Sequence, residues 1–264
     1  MHYREADDKY FDVVEARSSS IFSTLGATSF PQSYRAMFMF CAKTNSLKTA
    51  MFDCIESNNP YSFKVLFRCF CEHYLKFMYV WTRFLSERSD QVGTDYYSFC
   101  GAAEAKDYMS AITMAEGLLG NMVVADVKSA LGKLYPEAAE LSSKELEQVS
   151  NQFKYRSILR FLGSDKLQFV AQERPFLAQI VPAYALLSSF VHGGPYTDME
   201  MFGYSEPEAL EECEREAEMV FLMTASVFML TAAAVSREFA EAGQTAGMVK
   251  KVIDEFISAA DDET

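Results

Sequence analysis

Glycine and proline are scarce in this chain of 264 residues, at 12 and 7. Sandwiches and barrels need many turn residues, so the shortage argues against an all-β fold. Histidine is scarcer still, with only His2, His73 and His192. Three scattered imidazoles do not make an ordinary histidine metal site. HExxH is absent, and so are the ExxH pairs of a di-iron bundle. Neither GxGxxG nor GxxxxGKS/T occurs, which removes the common nucleotide cradles. No cofactor and no metal are therefore expected. Positive charge is also short: 24 Lys and Arg stand against 37 Asp and Glu, a net charge of −13. Such a surface repels duplex DNA and anionic lipid, so neither is expected as a partner. None of the six cysteines forms a CxxC pair, and Cys69 and Cys71, two apart, would point to different faces of a helix. A disulfide framework or zinc site is not expected, whereas buried free thiols in a reducing cytoplasm are. The acidic start, MHYREADDKY, lacks the apolar stretch of a signal peptide.

What is abundant is apolar. Hydrophobic residues make up 50% of the chain, with 22 Phe, 14 Tyr and 14 Met, enough to fill a sizeable core with large side chains. Helical periodicity dominates, with helices expected over about 7–22, 31–56, 60–88, 94–119, 126–134, a stretch capped by Ser142 or Ser143, 155–163, 165–173, 175–192, 207–242 and 248–260. Pro31 and Pro60 suit first helical turns, and Gly163 and the Gly193–Gly194 pair suit helix ends. The stretch between His192 and Pro207 reads as a hinge-like loop. The run from Met219 to Val235 is uncharged and just long enough to span a bilayer. It continues an acidic amphipathic helix and lacks Lys/Arg anchors, so it is expected to be a central core helix. The fold expected is an all-α, mostly antiparallel bundle of about eight to ten helices in a single domain. Residues 1–30 would form an N-terminal extension, 31–242 the bundle core, and 246–264 a C-terminal helix with an acidic tail.

Two helical segments carry polar residues that call for an explanation. In LFRCFCEHYLKFMYVW, Arg68 and Glu72 are four apart on an apolar helix. A charge there needs a partner, either in a salt bridge that organises the core or in a polar cluster at the mouth of a cleft. In PAYALLSSFVHGG, Tyr184, Ser188 and His192 are spaced four and four, on one slowly rotating stripe. They could be a capping histidine with two satisfied core hydroxyls, or part of a site. A serine-hydrolase arrangement is disfavoured, because Ser188 lies in no GxSxG elbow.

Arg-x-x-x-Glu on an apolar helix, followed by Tyr-x-x-x-Ser-x-x-x-His closing in HGGP, resembles a family of bacterial helical proteins allied to the HEPN-like bundles. Many of these act in phage defence or toxin systems. The likeness spans roughly Met51 to His192. It implies a helical bundle in which Arg68, Glu72, Tyr184, Ser188 and His192 meet across facing helices. HEPN ribonucleases carry Arg, four to six residues, then His, and RCFCEH places four residues between Arg68 and His73. Cys69 stands where that motif usually has a polar residue. In that chemistry, histidine takes the ribose 2′-OH proton and arginine stabilises the phosphorane without a metal. Two functions follow as expectations. One is a non-enzymatic sensor or protein-binding component of a defence or toxin system, with a protein partner or a homodimer. The other is a ribonuclease acting on RNA through Arg68, Glu72 and His192, with His73, Tyr184 and Ser188 as further candidates.

Overall fold

A computed structural model describes residues 1–121, 127–164, 174–195, 197–198, 203 and 205–261. Among the described residues the chain is all helix and turn, without a strand. The fold is an all-α helical bundle. Helices α1 (Tyr3–Thr24), α2 (Pro31–Glu56) and α3 (Pro60–Glu87) come first. A short α4 (Gln91–Thr94) runs through a π-helical turn, Asp95–Cys100, into α5 (Gly101–Leu118). Then follow α6 (Val127–Leu134), α7 (Ser143–Gln152), α8 (Tyr155–Leu162), α9 (Arg174–His192), α10 (Glu206–Val235) and α11 (Ala240–Asp261).

The ends of these helices follow local chemistry. Pro31 and Pro60 occupy first turns, where a missing N–H costs nothing. Asn59 caps α3 by accepting from the Ser62 N–H at 3.1 Å. Ser142 and Glu145 form a reciprocal capping box at α7, as do Ser205 and Glu208 at α10. The α2 N-terminus is capped from a distance: Asp90 Oδ1 accepts from the Ser33 N–H at 2.8 Å. That approach requires Gly93, since a Cβ there would lie 2.2 Å from the backbone of Gln32 and Ser33.

Helices α2, α3 and α10 form the centre, with α9 against α3 and α11 against α10. Phe40, Phe63, Phe67, Phe70, Phe77, Phe84, Phe221 and Phe228 are all sealed in it. The uncharged half of α10 lies in this core. The helix is long and apolar enough to cross a membrane, but 61% of its most apolar window is buried against the other helices. This is the packing of a core helix. A satellite cluster of Ala102, Ala138 and Leu146 ties the start of α5 to α7.

Several expected boundaries change. The first helix begins at Tyr3, and it is no extension: Tyr3, Ala6, Tyr10 and Ile21 are buried in the main core. The helix expected over 207–242 ends at Val235, and AGQTAG, expected as a break, lies inside α11. Gly243 is there for proximity, since a Cβ would come within 3.1 Å of Ser236 Cβ. Ala242 and Ala246 pack into the core beside it. The helix expected over 165–173 and much of the loop after Gly194 lie outside the described residues.

Candidate functional site

The polar cluster forms where α3, α8 and α9 meet. Arg68, Glu72 and Lys76 follow one another at four-residue steps on α3, so they share a face. Helix α9 brings Tyr184 and Ser188 to that face, and α8 brings Tyr155. Arg68 is the hub, with its side chain only 14% exposed. Its Nη1 donates to Glu72 Oε2 at 2.8 Å, its Nε to Ser188 Oγ at 3.0 Å, and its Nη2 to the Tyr184 hydroxyl. The guanidinium lies 3.5 Å from the Tyr184 ring centroid. Tyr155 stacks on the same ring at 4.0 Å and 6°. Two neighbours this close must lie on opposite faces, so guanidinium, Tyr184 and Tyr155 form a three-layer stack.

The rest of the cluster is also satisfied. Ser188 Oγ donates to the Tyr184 carbonyl at 2.9 Å, and the Tyr155 hydroxyl to the Val181 carbonyl at 3.2 Å. Glu72 is held from its other side by Lys76 at 2.9 Å. Burial raises the Glu72 pKa, but hydrogen bonds and charge from Arg68 and Lys76 outweigh it and bring the carboxyl down to about 2. Burial likewise pulls Lys76 down, and Glu72 reverses this, leaving the amine above its ordinary value. Burial pushes Tyr184 up against the opposing charge of Arg68, so the phenol stays protonated. The neighbouring Cys71 thiol is pushed by burial up to about 12 and is inert.

Of the six candidates, Arg68, Glu72, Tyr184 and Ser188 come together. The two histidines do not join them. His73 Nδ1 lies 2.8 Å from the Cys69 carbonyl, one turn back on its own helix. That contact assigns the proton to Nδ1. Burial lowers its pKa, and the Cys69 hydrogen bond only partly offsets this, so the ring is neutral. His192, the last residue of α9, is exposed and makes no hydrogen bond among the described residues. Ser188 has no base beside it: its oxygen accepts from Arg68 and its proton goes to a carbonyl. The arrangement can therefore hold helices together, but it places no histidine beside Arg68 to take the ribose proton in metal-independent RNA cleavage, and each nitrogen of Arg68 already binds a protein group. Among the described residues, no three His, Cys, Asp or Glu side chains converge to hold a metal.

Lys76 and Tyr155 were not anticipated as members. Lys76 was visible as a second four-residue step after Glu72, whereas Tyr155 had no signal, since stacking on a distant helix leaves no spacing. Similar ties recur elsewhere. Arg83 binds Glu87 on its own helix and Asp95 of the π turn at 2.9 Å. Lys64 pairs with Glu212 and Glu216 of α10, and the sealed Lys48 with Asp7 of α1. Two clefts adjoin this network. One of about 550 Å³ lies beside Arg83 and Arg160, and one of about 460 Å³ beside Lys43 and Tyr96. No family model, no curated protein and no solved structure matches this chain.

Proposed function

We propose that this chain is a non-enzymatic sensor or protein-binding component of a bacterial defence or toxin system, working in the cytoplasm. The observation that carries the non-enzymatic part is the engagement of Arg68 inside the fold through all three of its nitrogens. Glu72, Ser188 and Tyr184 each take one N–H, one from each nitrogen, Tyr184 and Tyr155 stack beneath the guanidinium, and neither His73 nor His192 joins it. Cleavage of RNA would need a histidine to reach the ribose hydroxyl while arginine meets the phosphorane. Here the arginine is committed to three protein groups, and releasing it would break its bonds to Glu72 on α3 and to Tyr184 and Ser188 on α9. The link to defence or toxin systems rests on the resemblance of the Arg-x-x-x-Glu and Tyr-x-x-x-Ser-x-x-x-His patterns. The cytoplasmic placement is supported by six cysteines that are all free thiols. The net charge of −13 favours a protein partner, or a second copy docked through a local patch, over duplex DNA.

The test is an RNA-cleavage assay on purified protein, paired with growth of bacteria expressing it. His73→Ala, His192→Ala and Arg68→Ala are run beside the parent. The expected result is no cleavage, and no growth defect that depends on either histidine. RNA cleavage lost in His73→Ala or His192→Ala, with an unchanged melting temperature, would establish a ribonuclease and overturn the proposal.

A further inference from the structure

The face of the bundle formed by α1 and α2 is built in the opposite way. Both helices lie against α10, and they are tied to each other near their ends. Asp7–Lys48 and Arg4–Glu56 close one end, and the Phe22–Phe38 ring contact and the short Leu25–Ala27 turn close the other. Between the ties they part, leaving a groove of about 370 Å³ floored by Tyr10, Phe38, Cys41 and Phe228. Its rim is apolar and open: Phe11 is 47% exposed, Phe22 50% and Met39 36%. Scattered exposed apolar residues are ordinary, but three large ones around one apolar groove make a patch.

Two further features say what kind of occupant fits. First, Asn45 Oδ1, in the groove wall, is buried and has no hydrogen-bond partner. Because that oxygen is sealed from solvent, a donor on an occupant reaches it only by a turn of the Asn45 amide toward the groove, which the cost of an unmet acceptor favours. Second, at about 100° per residue, Asp8, Asp12 and Glu15 fall on one stripe of α1 directly beside Phe11 and Phe22. All three carboxylates are exposed. The α2 side, at Ala42, Asn45, Ser46 and Thr49, carries no charge.

We propose that this groove docks an amphipathic helix of a partner protein, apolar on the face toward the groove and rich in Lys or Arg along the flank that meets Asp8, Asp12 and Glu15. The proposal rests on the protein-binding reading above and specifies its surface. The groove accepts side chains and not a helix backbone, so the partner lies across the rim and inserts its anchors. Phe11 and Phe22 are about 16 Å apart along α1, which a helix covers in about three turns. The anchors are therefore expected at i, i+4, i+7 and i+11, the usual pattern of helix-in-groove recognition. The acidic stripe sets orientation and speeds encounter, while the buried anchors hold the complex.

The experiment titrates the full chain with a labelled, designed Leu/Lys amphipathic helix and with its Leu/Glu twin, reading fluorescence anisotropy at near-physiological salt. The Leu/Lys peptide should bind at least about tenfold more tightly than the twin. Ala42→Trp, which fills the groove from an exposed position, and Phe11→Ser should each weaken it about tenfold or more. The double variant Asp12→Lys/Glu15→Lys should reverse the preference. Binding that survives Ala42→Trp and Phe11→Ser unchanged is general attraction to an acidic protein and overturns the proposal. So does equal affinity for both peptides. A dimer in sedimentation that Phe11→Ser dissolves would give the face to a second copy and overturn it too. None of these substitutions touches Arg68 or a histidine. Failure here leaves the RNA assay to judge the non-enzymatic reading by itself, and cleavage of RNA there would not explain binding here.

Discussion

The α3–α9 seam and the α1–α2 groove sit on the same bundle and solve opposite problems. At the seam a charged side chain is sunk between helices, and every group around it is bonded. At the groove, large apolar side chains stay in water and a buried amide oxygen has no partner. Polar residues in an apolar setting invite a catalytic reading. Engagement within the fold is what separates a joint from a site: a group held through each of its nitrogens and stacked on a ring has little left for a substrate. The groove's large apolar rim is left uncovered, and that is where a partner has something to add.

The largest effect that sharpens this contrast should come from Arg68→Ala. It removes the hub and leaves Glu72, Ser188 and Tyr184 without their shared donor, so urea unfolding should show a loss of about 3 kcal/mol. Phe11→Ala on the groove rim should stay within about 0.5 kcal/mol in the same assay. Equal losses at the two places would erase the distinction. Next comes Tyr184→Phe, which keeps the ring stack but deletes the hydroxyl that accepts from Arg68, at about 1 kcal/mol. Restoration of full stability by Phe would mean that stacking alone joins the helices.

How far this was legible differs between fold and cluster. The second helix was readable to the residue, because Pro31 starts it and the SNNP segment stops it with strong local signals. The break before the last helix was misplaced because a glycine breaks a helix only where packing does not hold it. Gly243 and Gly247 sit in a helix pressed onto α10. In the cluster, the four-residue steps found Arg68, Glu72, Tyr184 and Ser188. The same rule overreached at His192. Each step of four turns a helix by about 40° beyond a full turn, so from Tyr184 to His192 the stripe has rotated about 80°, toward solvent.

A smaller, pH-dependent effect separates the regions again. The Glu72 pKa is about 2 in the fold against an ordinary value of 4.5. A carboxylate depressed in the folded state stabilises it fully above the unfolded pKa, and that contribution fades as pH falls from about 4.5 toward 2. Acid titration of stability should therefore be shallower over that window in Glu72→Gln than in the parent. Because Glu72 is 38% exposed, solvent screening keeps the difference modest. The smallest effect is expected for His192→Ala, exposed at the end of α9, with unfolding unchanged to within about 0.5 kcal/mol.

The most direct test of the joint is a double-mutant cycle between Arg68 and Tyr184, using Arg68→Ala, Tyr184→Ala and the pair, read by equilibrium unfolding. Hydrogen bond and stack together predict that the double variant loses less than the sum of the singles, with a coupling of about 1–3 kcal/mol. Losses that add to within about 0.5 kcal/mol would mean the two side chains stabilise the bundle independently, and the seam would not be the joint described.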